Sequence, residues 1–179
     1  MTNIALPIGQ YVDLETINVY NERTAQGYAV EDVMKSIHAR SRDNGRTPMQ
    51  WTDGVNGGFT EGTPWIPVNP NYKEVNAQAA LADKDSVFYY YQKLIQMRKT
   101  YPIFSDGSFT LLCPEDEKIF AYTRDTKNAH MLVVCNFTEE TLEFEIPKEY
   151  SNAEVLIANY KEQASALRPY EAFILYYEE

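Results

Sequence analysis

The residues from Ser41 to Trp51, SRDNGRTPMQW, concentrate the side chains best suited to gripping a polar ligand. Arg42 and Arg46 each offer a planar fork of donors that fits a carboxylate or a pair of sugar hydroxyls. Gly45 permits backbone angles that other residues resist, and Pro48 stiffens the exit of the stretch. On spacing alone, a salt-bridged loop anchor is the plainer account of these residues. Other chemistries find less support. The only histidines are His38 and His130, and no HExxH, CxxC or EF-hand pattern is present. No metal site and no cofactor are therefore expected. His38 falls on a helical stretch, where a solvated or hydrogen-bonded role is expected. Gly54 to Gly58 lacks the Lys-Ser/Thr pair and the preceding strand of a phosphate cradle, and no GxSxG elbow occurs. Cleaving a sugar bond needs only two carboxylates, but among 26 acidic residues pairs are unavoidable. Nothing in Asp13, Glu15, Glu31, Asp32 or Asp43 sets an acid beside a nucleophile.

Positioning that stretch falls to the elements around it. Tyr11 to Tyr20 suggests a short helix, and Val30, Val33, Met34, Ile37 and His38 recur at helical spacing, predicting a helix over about 29–41 that ends before Gly45. From Asn44 to Asn76, turn signals such as Asp53-Gly54, Asn56-Gly57-Gly58 and Asn69-Pro70 are interleaved with Trp51, Phe59, Trp65 and Ile66. That combination predicts an ordered loop wrapped over a scaffold. A further helix is expected over 85–100, capped by Asp85 or Ser86, with Val87, Tyr90, Tyr91, Leu94, Ile95 and Met97 as its apolar stripe and Pro102 as its stop. Beyond Ser105 the pattern alternates. Strands are expected at 108–112, 118–123, 130–136, 141–146, 154–158 and 172–177.

Composition narrows the setting. A chain of 179 residues with a net charge of −10 repels a polyanion, so no nucleic acid partner is expected. No apolar run is long enough to span a bilayer, and the opening MTNIALPIGQ lacks the basic and apolar stretches of a leader. Cys113 and Cys135 form no disulfide framework and are expected as two buried thiols. A cytoplasmic protein without membrane contact is the expectation. The 14 tyrosines serve cores and sugar platforms equally well, so composition cannot divide them between those uses.

The stretch SRDNGRTPMQW closely resembles the RDNxRTPMQW signature of glycoside hydrolase family 13, in its oligo-1,6-glucosidase, dextran glucosidase and trehalose-6-phosphate hydrolase group. Gly58-Phe59-Thr60, the run from Pro64 to Tyr72, the run from Asp85 to Tyr91, and Leu167-Arg168-Pro169-Tyr170-Glu171-Ala172 are similar to that group as well. These matches follow the family order along nearly the whole chain. The resemblance implies an α+β fold. Residues 1–104 would be the helical and loop segment at the end of a (β/α)8 barrel, and residues 105–179 an antiparallel β-sandwich domain. It implies that the nucleophile Asp, the acid/base Glu and the stabilising Asp lie upstream, with Met1 an internal methionine. The chain alone would then be inactive.

By position, Arg46 matches the arginine that grips the terminal glucose together with an upstream Asp. It is the one substrate-binding residue expected; no catalytic residue and no metal ligand are assigned. Arg42, Asp43 and Asn44 would serve loop architecture, and Pro48, Trp51 and Trp65 packing. The implied function is the C-terminal part of an α-glucosidase that hydrolyses oligosaccharides with retention, through two carboxyls about 5–5.5 Å apart. Its partners would be a glucose-terminated oligosaccharide and the missing N-terminal barrel. The alternative is a non-catalytic carbohydrate-binding or interaction module built on the β domain. Linkage preference, whether α-1,6, trehalose phosphate or sucrose-like, stays undistinguished.

Overall fold

The computed structural model describes residues 2–162 and 164–179, so Met1 and the expectation attached to it lie outside the described residues. The chain forms two compact units, Met1–Gln92 and Lys93–Glu179.

In the first unit, α1 (Leu14–Ala25) begins where the Asp13 carboxylate accepts from Thr16 N at 3.2 Å. That cap places the helix later than the 11–20 expected, because residues before Asp13 are committed to other partners. α2 (Val30–Arg40) follows the prediction closely. It ends at Ser41, whose φ of −57° and ψ of 139° leave helical space, so Gly45 is not the terminator. Val33 and Ile37 of α2 join Ile4, Leu6, Tyr11 and Ile66 in one buried cluster.

Between Gly45 and Asn76 the segment contains only 3₁₀ turns, at Val55–Gly58 and Pro70–Lys73, as expected of an ordered loop. Asn56, Gly57 and Gly58 take φ values of 51°, 64° and 71° in succession. Glycine adopts that left-handed backbone without steric cost. The bend lets the Gly57 carbonyl accept from Trp51 N at 2.7 Å and Thr52 N at 3.0 Å. A six-residue helix, α3 (Ala77–Ala82), follows where none was predicted, capped by Asn76 through Ala79 N at 2.8 Å.

α4 (Val87–Thr100) contains the division between the units. Of its apolar stripe only Met97 is buried, while Val87 is 83% and Tyr91 64% exposed. Ser86 does not cap it through its hydroxyl, which donates instead to Ala80 O at 2.6 Å. Pro102 ends the helix and opens a single turn, α5 (Ile103–Asp106).

The second unit carries one five-stranded antiparallel sheet: β1 (Ser108–Leu111), β2 (Ile119–Asp125), β3 (Ala129–Asn136), β4 (Glu154–Ala158) and β5 (Ala172–Glu178), in the order β1-β2-β3-β5-β4. Alternation sends Ile119, Ala121, Leu132, Val134, Phe173 and Leu175 to one face, where Tyr150 and Leu167 complete the core. The 141–146 segment departs from the prediction. It is a strand only at the bridge Leu142–Leu167, yet Leu142, Phe144 and Ile146 still pack on that core. Its apolar alternation survives without a continuous neighbour to pair with, so it forms an irregular second layer. The opposite face buries Met131, Val133, Ile174 and Tyr176, with Tyr101 edge-on to Tyr176 at 5.1 Å.

Candidate functional site

The Arg42–Gly45 residues form a 3₁₀ turn opened by Ser41, whose hydroxyl accepts from Asp43 N at 3.3 Å. Inside it sits Asp43, with no exposed surface. Its Oδ2 accepts from Val12 N at 2.8 Å and Asp13 N at 3.1 Å, which ties the entry of α1 to the turn. Its Oδ1 lies 3.5 Å from Arg46 Nη1, and the Arg46 side chain remains 39% exposed. The next residue, Asn44, spans outward: its amide oxygen accepts from Ile4 N at 3.1 Å and its amide nitrogen donates to His38 O at 3.0 Å.

Charge is concentrated here. Burial pushes the Asp13 carboxyl upward, but Thr16's hydroxyl and backbone N–H and the charges of Arg46 and Arg42 outweigh it and hold the group below the usual range. Arg42 is exposed, and its charge acts on Asp13 from outside. A cleft lined by Asp13, Glu15, Ser36, Arg40, Ser41 and Arg42 among others does not include Arg46.

Sequence reasoning passed over the amides that hold the loop. Gln50 is nearly fully buried and donates to Asn71 Oδ1 at 2.9 Å and Val75 O at 2.6 Å. Asn69 donates to Thr2 O and Asn3 O, each at 3.1 Å, and Asn71 to the Thr2 hydroxyl at 2.8 Å. The available signal was the frequency of Asn and Gln in a segment without ladder partners, where side-chain amides must satisfy backbone groups. Pro48 is buried as expected. Trp51 and Trp65 are not: they are 51% and 74% exposed. The neighbours Gln50 and Ile66 take the interior in their place.

The remaining candidates serve structure. His38 Nε2 lies 3.1 Å from Leu6 O, and His130 Nδ1 lies 2.8 Å from Asp125 Oδ1 with its ring stacked on Tyr177. Cys113 and Cys135 are free and half-buried rather than buried, and burial pushes the Cys135 thiol up. Among the described residues, no group of three or more His, Cys, Asp or Glu could hold a metal ion, and no helix is long and apolar enough to cross a membrane. Near the end of the chain, Arg168 meets Glu171 in a bidentate pair, Nη2 to Oε1 at 2.6 Å and Nε to Oε2 at 3.0 Å.

A buried carboxylate 3.5 Å from a partly exposed guanidinium, on a turn ahead of an amide-pinned loop, is what the first unit offers; the second adds an antiparallel sheet. Comparison with known proteins gives that arrangement a family. The model of the α-amylase catalytic domain matches residues 4–107, and that of the SusG-type α-amylase C-terminal domain matches residues 119–174. The chain belongs to the α-amylase family, glycoside hydrolase family 13, as the RDNxRTPMQW resemblance implied. An oligo-1,6-glucosidase of Halalkalibacterium halodurans is 50% identical over 96% of this chain, which spans 32% of that protein. A trehalose-6-phosphate hydrolase of Bacillus subtilis is 45% identical over 93% of the chain and 31% of its own length. Among solved structures, a trehalose-6-phosphate hydrolase of Bacillus licheniformis superposes with a TM-score of 0.92 at 37% identity, covering 100% of this chain and 34% of that one. The chain therefore spans about a third of the length of the relatives it matches.

Proposed function

We propose that the chain is part of an α-glucosidase that cleaves glucose-terminated oligosaccharides with retention, and that it supplies one wall of the glucose subsite through Arg46. Residues 1–104 would close the catalytic barrel and residues 105–179 form its β domain, with the nucleophile and acid/base carboxylates contributed from outside the chain. The observation that carries the proposal is the Arg46 guanidinium, 3.5 Å from buried Asp43 yet with its side chain 39% exposed, within the family signature. The oligo-1,6-glucosidases and trehalose-6-phosphate hydrolases among its relatives support the substrate class. A cytoplasmic setting is part of the proposal.

The isolated chain is expected to turn over neither p-nitrophenyl α-glucoside nor isomaltose. Clear turnover, abolished by Arg46→Ala, would sink the claim that the catalytic carboxylates lie elsewhere. A second reading, a sugar-binding module, draws on the row of Phe109, Tyr122 and Phe120 rings, with neighbouring centroids 5.0 and 5.3 Å apart. It requires saturable glucan binding by the chain that weakens on Phe109→Ala. Calorimetry showing no binding removes it.

A further inference from the structure

Asp43 uses its two oxygens differently. Oδ2 accepts from two backbone donors, Val12 N at 2.8 Å and Asp13 N at 3.1 Å. Oδ1 is equally buried and accepts no hydrogen bond, and the cation it faces is Arg46, with Nη1 at 3.5 Å. A buried carboxylate oxygen without a donor is costly, and its attraction for a nearby guanidinium is stronger where water is excluded. The guanidinium in turn has five donors, and the nitrogen recorded beside Asp43 is Nη1.

We infer that Asp43 is a positioning residue: its donor-free Oδ1 holds one edge of the Arg46 guanidinium, so that the remaining donors are presented outward as a fork of fixed orientation. The inference rests on the proposal that Arg46 binds glucose, and it adds what makes Arg46 fit for that role. A neutral sugar offers hydroxyls, which bind weakly to a swinging side chain because ordering it consumes part of the interaction. A guanidinium already held on one side loses less freedom when the hydroxyls arrive. The family resemblance alone assigned Asp43 to loop architecture. The division of labour between its oxygens gives it a second role, separable from the first.

Asp43→Asn separates the two. The amide oxygen can still accept from Val12 N and Asp13 N, while the amide nitrogen, a donor, would face Arg46 and release it. Two measurements test this. In nitrogen-15 spectra of the arginine side chains of the 179-residue protein, the parent Arg46 should show hindered rotation about Nε–Cζ under conditions where exposed Arg98 is averaged. Asp43→Asn should average Arg46 as well. A freely averaged Arg46 in the parent overturns the inference outright, even if the variant fails to fold.

The second measurement uses the full-length enzyme bearing this chain. Asp43→Asn should raise KM for isomaltose about tenfold, roughly the worth of one charge-assisted contact, with kcat nearly unchanged. Combined with Arg46→Ala, it should add nothing to the loss caused by Arg46→Ala alone. Additive losses, or an unchanged KM beside a damaging Arg46→Ala, overturn the inference. An Arg46→Ala variant with unchanged KM instead overturns the glucose assignment, and the spectra then decide the positioning alone.

Discussion

Arg168 reaches Glu171 with two side-chain nitrogens, and its backbone N–H donates to the same carboxylate at 2.8 Å. These bonds hold the Glu171 carboxyl below its ordinary value of 4.5, the hydrogen bond from the Arg168 side chain contributing most and burial opposing it. The folded protein thus binds this proton less tightly than the unfolded chain. The stability the pair supplies is complete above about pH 4.5 and is lost as pH falls through the lowered folded value. Melting temperatures measured from pH 6 to about pH 3 should fall less steeply for Glu171→Gln than for the parent; parallel curves would contradict this. At this scale the sequence was legible for His38, expected on a helix in a hydrogen-bonded role and found with its Nε2 3.1 Å from Leu6 O. It was silent on Gln50, Asn69 and Asn71, because an amide's partners depend on backbone groups brought close only by folding.

α3 is the element the sequence concealed. Its Ala-Gln-Ala-Ala-Leu-Ala run has no apolar period long enough to register, and its stability depends on its cap. Asn76→Ala should therefore cost about 1 kcal/mol and raise hydrogen exchange within residues 77–82, leaving the sheet unchanged. Gly57→Ala should destabilise the loop by about 1–2 kcal/mol, since its φ of 64° opposes any Cβ and the added atom would sit 3.4 Å from the Gln50 backbone. The strands, by contrast, were legible nearly to the residue, β4 matching the predicted 154–158. Alternation of Val, Ile, Leu and aromatics is enforced by the sheet's own two faces. The failure at 141–146 follows from the same logic: alternation reports which side chains face inward, not whether a neighbouring strand exists to bond with.

For the molecule as a whole, the sheet and the helices differ in what they leave uncovered. The sheet buries apolar side chains on both faces, whereas the helices α1 and α4 expose Leu14, Val87, Tyr91 and Ile95. Each such side chain forfeits roughly 1.5–3 kcal/mol of burial. A chain with these stripes open should show protected amides in β2, β3 and β5, rapid exchange along α4, and self-association in sedimentation as concentration rises. Uniform protection in a monomer through the first hundred residues would overturn this. The amide pins described above also carry a kinetic consequence. Thr2 and Asn3 are bonded to Asn69 and Asn71, partners 66 to 69 positions further on. A ribosome adds about 5–20 residues per second, so these early residues wait roughly 3–14 s for the asparagines that complete their bonding. The first unit thus closes like a drawstring: the Asn3 side chain meets His38 O and Ala39 O first, and the loop asparagines draw the segment tight once they have emerged.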